Sequence, residues 1–184
     1  MTVRFRVMGM EHLVENVCYL QNSSVETFKA SRSSPTEWMT YRGAGPLNFY
    51  DAEEVAQLTK MDQSPRPVAQ FAPRSSGAWL LLFVKTSNGS ERARYKIVPV
   101  PEDRDELSEG IRFYNFTENS LAVNVNDATL QLKPRDRKQM NPGPRENARM
   151  DMKIAANVNG EWSLASSTIF GHRPNARTTI YIID

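Results

Sequence analysis

One cysteine, two histidines and no long apolar run mark this 184-residue sequence, and each scarcity closes off a class of protein. A lone Cys18 excludes an intrachain disulfide and any cysteine-rich zinc site. It lies in Val17-Cys18-Tyr19-Leu20, a strand-like apolar run, and reads as a small buried hydrophobe. His12 and His172 are far apart in sequence, and each reads as a surface or turn residue. Zinc needs three or four convergent ligands, so no metal site is expected. There is no His-Glu-x-x-His, no Gly-x-Ser-x-Gly and no phosphate-binding Walker loop. No cofactor is therefore expected, and the sequence leans away from an enzyme. No segment reaches the roughly 20 apolar residues of a membrane-spanning helix. A net charge of +2 gives no global field that would seek a polyanion.

What the chain does have is turn chemistry. Eleven prolines, with many Ser, Asn and Thr residues, favour short strands over long helices. Three hairpins stand out. Val123–Val125 and Ala128–Leu132 flank Asn126-Asp127, and Lys153–Val158 and Glu161–Leu164 flank Asn159-Gly160. Trp79–Lys85 and Ala93–Val98 flank Ser87-Asn88-Gly89-Ser90. Leu121, Val123 and Val125 alternate with polar or small residues, the pattern of a half-buried strand. Leu80-Leu81-Leu82-Phe83-Val84 is continuous, which predicts a central strand covered on both faces. Asp51-Ala52-Glu53-Glu54 resembles a capping box before Val55, Leu58 and Met61, and predicts a short helix. Asp103–Glu109 is a second candidate for a single helical turn. Lys133–Arg145 reads as a loop-rich segment.

The second half echoes the first. Val3-Arg4-Phe5-Arg6-Val7 has a counterpart in Ile111-Arg112-Phe113-Tyr114-Asn115, and Leu13–Val17 in Leu121–Val125. Each half closes with an apolar run, Trp79–Val84 or Thr178–Ile183. The expected fold is all-β: two tandem β-sandwich (immunoglobulin-like) repeats with at most one or two short helices. The first repeat spans 1–100, an acidic linker 101–110, and the second repeat 111–184. A single intertwined sandwich with internal pseudo-symmetry is the alternative.

Charged clusters have plain readings. Asp51, Glu53 and Glu54 lack the spacing of a calcium loop and suit a helix N-terminus. Lys133, Arg135, Arg137 and Lys138 crowd one connection, but Asp136 interrupts them and no aromatic residue interleaves, so nucleic acid is not the expected partner. Asn22, Asn88 and Asn115 begin short glycosylation sequons. The aromatic residues offer a binding surface. Trp38, Tyr41, Phe49 and Tyr50 flank Arg42-Gly43-Ala44-Gly45-Pro46, and exposed rings with an adjacent arginine suit sugar stacking. The candidate ligand-binding residues are Trp38, Tyr41, Arg42 and Tyr50. The competing reading places Trp38 and Tyr41 in the core. Trp79 and Trp162, inside strands, are expected to be core.

Arg4-Phe5, Arg112-Phe113, Tyr41–Leu47, Tyr95–Val100 and the closing Phe170-Gly171-His172-Arg173-Pro174 together resemble duplicated β-sandwich proteins secreted by environmental bacteria. That group has no assigned activity, so the resemblance implies a fold and a cell-envelope location but no catalytic residues. Met1-Thr2-Val3-Arg4-Phe5 runs almost directly into structure, as in a chain whose leader has been trimmed, and a secreted or periplasmic location is expected. The expected function is a non-catalytic cell-envelope or extracellular binding or structural module that contacts protein or glycan. The alternative is a hydrolase with a carboxylate or serine site, such as a serine with His172, in a groove between the repeats.

Overall fold

The computed structural model describes residues 1–22, 24–58, 63–86, 94–102, 109–141, 149–173 and 176–183. The chain divides into two compact units, Met1–Arg104 and Asp105–Asp184. Both are built almost wholly of strands, and each is an all-β sandwich.

Unit 1 contains β1 (Thr2–Gly9), β2 (Val14–Gln21), β3 (Ser24–Ala30), β4 (Met39–Arg42), β5 (Leu47–Asp51), α1 (Ala52–Leu58), β6 (Pro67–Phe71), β7 (Gly77–Lys85) and β8 (Tyr95–Pro101). One sheet has the order β4-β1-β7-β8 and the other β3-β2-β5-β6. Every pairing is antiparallel except β1 with β7, which is parallel. Strand alternation explains the core. Val3, Phe5 and Val7 point inward from β1 and are fully buried, which turns Arg4 and Arg6 outward. Phe49 sits at the centre, in edge-on contact with Phe5, Tyr19, Phe28 and Phe83. As its continuous apolar run predicts, β7 lies between β1 and β8 with Leu80, Leu81, Leu82 and Phe83 all buried.

Unit 2 contains β9 (Gly110–Asn115), β10 (Ser120–Val125), β11 (Ala128–Leu132), β12 (Arg137–Met140), β13 (Arg149–Val158), β14 (Glu161–Gly171) and β15 (Arg177–Ile182). Its sheets have the orders β12-β9-β15 and β11-β10-β13-β14. Ile111 and Phe113 meet Leu121, Val123, Val125, Met150, Met152 and Ile154 in a second core. Taken in chain order, the seven strands of unit 2 repeat the neighbour relationships of β1 to β7, including parallel pairing of the opening and closing strands, β9 with β15. Among the described residues β8 has no counterpart in unit 2.

All three expected hairpins form, as β7/β8, β10/β11 and β13/β14. Asn126 and Asn159 take the positive φ that such turns need, at 53° and 55°, and Gly160 follows at 91°. The turn between β7 and β8 lies outside the described residues, as does almost all of the expected helical turn at Asp103–Glu109. The loop-rich Lys133–Arg145 stretch also contains a strand that its sequence does not announce, β12, whose Arg137–Met140 pairs with β9; a four-residue strand of mostly polar side chains leaves no apolar alternation to read. One expectation is corrected. Trp162, read as core, is 48% exposed, because its register opposite Asn157 turns it to the outer side of β14, a strand at a sheet edge.

Candidate binding surface

Trp38 precedes β4 on a segment pinned to the end of β1. The Val7 amide donates to Thr36 Oγ1 at 2.9 Å, and the Thr36 amide donates to the Val7 carbonyl at 2.9 Å. Met39 then pairs with Phe5 and Thr40 with Arg4. This register sets Trp38 among the outward side chains of β1. The guanidinium carbons of Arg4 and Arg6 lie 4.9 and 5.1 Å from its ring centroid. Arg6 also forms an ion pair with Glu102. Trp38 remains 40% exposed, so its ring is neither core nor a bare stacking platform. It carries two cations on a sheet face.

The other three candidate residues go elsewhere. Tyr41 pairs with Val3, packs against the unit 1 core, and donates its hydroxyl to the Pro46 carbonyl at 3.2 Å. A Cβ at Gly43 would fall 2.3 Å from that hydroxyl, so the ring occupies the space a side chain there would need. Arg42 is exposed beside Thr2, and its amide donates to Gln21 Oε1 at 2.9 Å. Tyr50 lies on β5 opposite Cys18, on the side turned away from Leu47 and Phe49. Trp38 and Arg42 thus share the outer face of one sheet, Tyr41 points into the core, and Tyr50 lies on the outer side of the other sheet. The structure does not gather the four into one surface. The residues that do gather around Trp38 are Arg4 and Arg6. Their signal was present in the sequence, since inward Val3, Phe5 and Val7 force both arginines outward.

The end of β5, where it runs into α1, is organised around Asp51. Its Oδ1 accepts from the Glu53 and Glu54 amides at 2.9 and 3.0 Å, which caps α1 as the sequence predicts. Asp51 also pairs with Arg94. Burial opposes its charge, but the Glu54 amide, Arg94 and the Glu53 amide outweigh that and hold its carboxyl below the usual value. Cys18 is fully buried, and burial followed by the Asp51 charge pushes its thiol up. Both effects disfavour a reactive thiolate.

The histidines and basic residues are engaged in structure. His12 stacks on Tyr95, with centroids 5.5 Å apart. His172, expected at the surface or in a turn, is 8% exposed, with Nδ1 2.8 Å from Thr178 Oγ1. Arg135 pairs with Glu118, Lys138 lies 3.9 Å from Asp136, and Arg137 stands over the Tyr114 ring at 5.9 Å. The Asn115 sequon is buried: its Nδ2 donates to the carbonyls of Asn119 and Lys133, and its Oδ1 accepts from the Thr117 amide and hydroxyl. Asn22 is exposed, and Asn88 lies outside the described residues. Among the described residues no group of three or more His, Cys, Asp or Glu side chains is placed to hold a metal ion, and no helix is long and apolar enough to cross a membrane.

No protein-family model matches this sequence, and no curated protein matches it.

Proposed function

We propose that this chain is a non-catalytic binding module of the cell envelope or the extracellular space, contacting a protein or glycan through the outer face of β1 and β4. The observation that supports this reading is the pair of guanidinium groups over the exposed Trp38 ring. Tryptophan and arginine are the residue types that carry most binding energy at protein surfaces, because both bury large area while keeping directional donors. Two guanidinium groups lie over the ring, so a neutral sugar would have to displace them to stack on that face. A ligand bearing carboxylate or sulfate groups would instead take donors of the exposed Arg4 guanidinium, while Arg6 stays paired with Glu102. An acidic glycan or an acidic protein surface is therefore the favoured partner. The matching strand orders of the two units support an origin by internal duplication, with the outer faces of the units specialised separately.

A glycan-array screen that includes uronic-acid and sulfated polymers, run on the protein and on Trp38→Ala, tests the proposal. Binding to acidic glycans that is lost in the variant, with an unchanged circular dichroism spectrum, is the expected result. Binding that Trp38→Ala leaves intact would remove this face as the site. An array with no binding would turn the reading from glycan to a protein contact.

A further inference from the structure

We propose that β14 is a pairing edge through which two copies of this chain join, strand against strand, in an antiparallel two-fold arrangement. The first ground is the edge itself. β14 is 11 residues long, lies at the end of the β11-β10-β13-β14 sheet, and is exposed along its length apart from a half-buried Phe170. It opens with Glu161, but the nine residues from Trp162 to Phe170 include no charged residue and no proline, a longer run than on any other described edge. Sheet proteins normally blunt an exposed edge with exactly such residues, because unpaired amides and carbonyls template pairing with another chain. The other described edges are blunted or short. Glu26 and Lys29 lie on β3, Arg42 on β4, Pro67 on β6, Lys96 and two prolines on β8, Arg137 and Lys138 on β12, and Arg177 on β15. The uncharged β11 has only five residues.

The second ground is which side chains face which way. Register with β13 sets Ser163, Ser166 and Thr168 opposite the core-facing Ala156, Ile154 and Met152. It sets Trp162, Leu164, Ser167 and Ile169 opposite the outward Asn157, Ala155, Lys153 and Asp151. Phe170, opposite Met150, turns to the core, while Trp162, Leu164 and Ile169 lie on the side away from it, exposed by 48%, 65% and 50%. A solitary edge strand gains nothing from that inversion.

A second copy of the same strand uses it. Opposed residues in an antiparallel pair share a face. Centring a two-fold axis on Ala165 and Ser166 sets Trp162 opposite Ile169 of the second copy, Leu164 opposite Ser167, and Ser163 opposite Thr168. Large apolar residues then meet on the outer face and hydroxyls meet on the inner face. The register shift near Ile154 and Ala155 makes this possible, because it skips Ala165 and so keeps Leu164 and Ser167 on one face. The arrangement is isologous, so it closes at two copies.

Cysteine cross-linking and solution mass on the full chain test the proposal, helped by the burial of the one native thiol, Cys18. By sedimentation velocity the protein should be a dimer. Ile169→Lys, at a half-exposed site that folding tolerates, should raise the dimer dissociation constant at least about tenfold while leaving the circular dichroism spectrum unchanged. On mild oxidation the double variant Ser163→Cys/Thr168→Cys should run as a covalent dimer, and Ser163→Cys alone should not. A monomer at every accessible concentration would overturn the proposal. So would a dimer that is unaffected by Ile169→Lys and does not cross-link in the double variant, since its interface would lie elsewhere.

Discussion

The guanidinium carbon of Arg4 stands 4.9 Å from the centre of the Trp38 ring, across the outer surface of a sheet whose other face buries Phe5 completely. A double-mutant cycle measures what this stack contributes. Arg4→Ala, Trp38→Ala and the pair, compared by urea denaturation, should give a coupling energy of about 0.5–1 kcal/mol, the range for an exposed cation–π contact.

Asp51 should make unit 1 acid-sensitive. Its carboxyl is held below the usual value in the folded protein, so the unfolded chain binds the proton more readily. Its contribution is fully present above the ordinary carboxylate value of 3.8 and is lost as the pH falls through the lowered one. Asp51→Asn should be less stable than the parent at about pH 7, and the gap should narrow towards about pH 3. Asp51→Ala, which also removes the helix cap, should cost about 0.5–2 kcal/mol at neutral pH. A gap that stays constant across the pH range would show that the ionised carboxylate contributes no stability.

The thiol of Cys18 should be inert until the fold opens. Burial and the Asp51 charge both hold it protonated. At about pH 8, a thiol-specific reagent should label native protein at least tenfold more slowly than protein in denaturant. Equal rates would place the thiol in solvent.

Asn115 joins three segments of unit 2 through four hydrogen bonds while only 1% exposed. Asn115→Ala leaves the Asn119 and Lys133 carbonyls and the Thr117 amide without these partners. A loss of about 2–4 kcal/mol follows, measured as a shift of the unfolding midpoint without a change in slope. A loss below about 0.5 kcal/mol would show that water or neighbouring groups replace the amide.

Phe49→Ala removes the ring that four other rings meet edge-on in unit 1, and should cost about 3–5 kcal/mol. A far smaller loss would mean that the core collapses around the site.

The parts of the fold legible in the sequence were those with a local physical signature. Alternation at Leu121, Val123 and Val125, the Asn159-Gly160 turn, the Asp51 cap and the unbroken run of β7 each fix a conformation through neighbours a few residues away. The surface was less legible. Trp38, Tyr41, Arg42 and Tyr50 are close in sequence, but strand alternation sends Tyr41 inward, and Tyr50 belongs to a different sheet. Burial of Trp162 could not be judged without strand order, because a tryptophan in a strand looks the same whether that strand is central or at an edge. β12 escaped notice because its pairing with β9 is set by tertiary register, not by its own pattern.

The parallel pairing of β1 with β7, and of β9 with β15, has a consequence for how the chain is made. Each unit's opening strand leaves the ribosome long before its closing partner exists. Antiparallel neighbours such as β2 and β3 can pair as soon as they emerge, but β1 and β9 cannot complete their sheets until nearly the whole unit has been synthesised. During that interval Val3, Phe5 and Val7 would form an adhesive stripe on a nascent strand. Arg4 and Arg6, placed between them, keep that stripe charged and hydrated until β7 arrives. The two arginines that hold Trp38 in the finished molecule thus also guard the unfinished one.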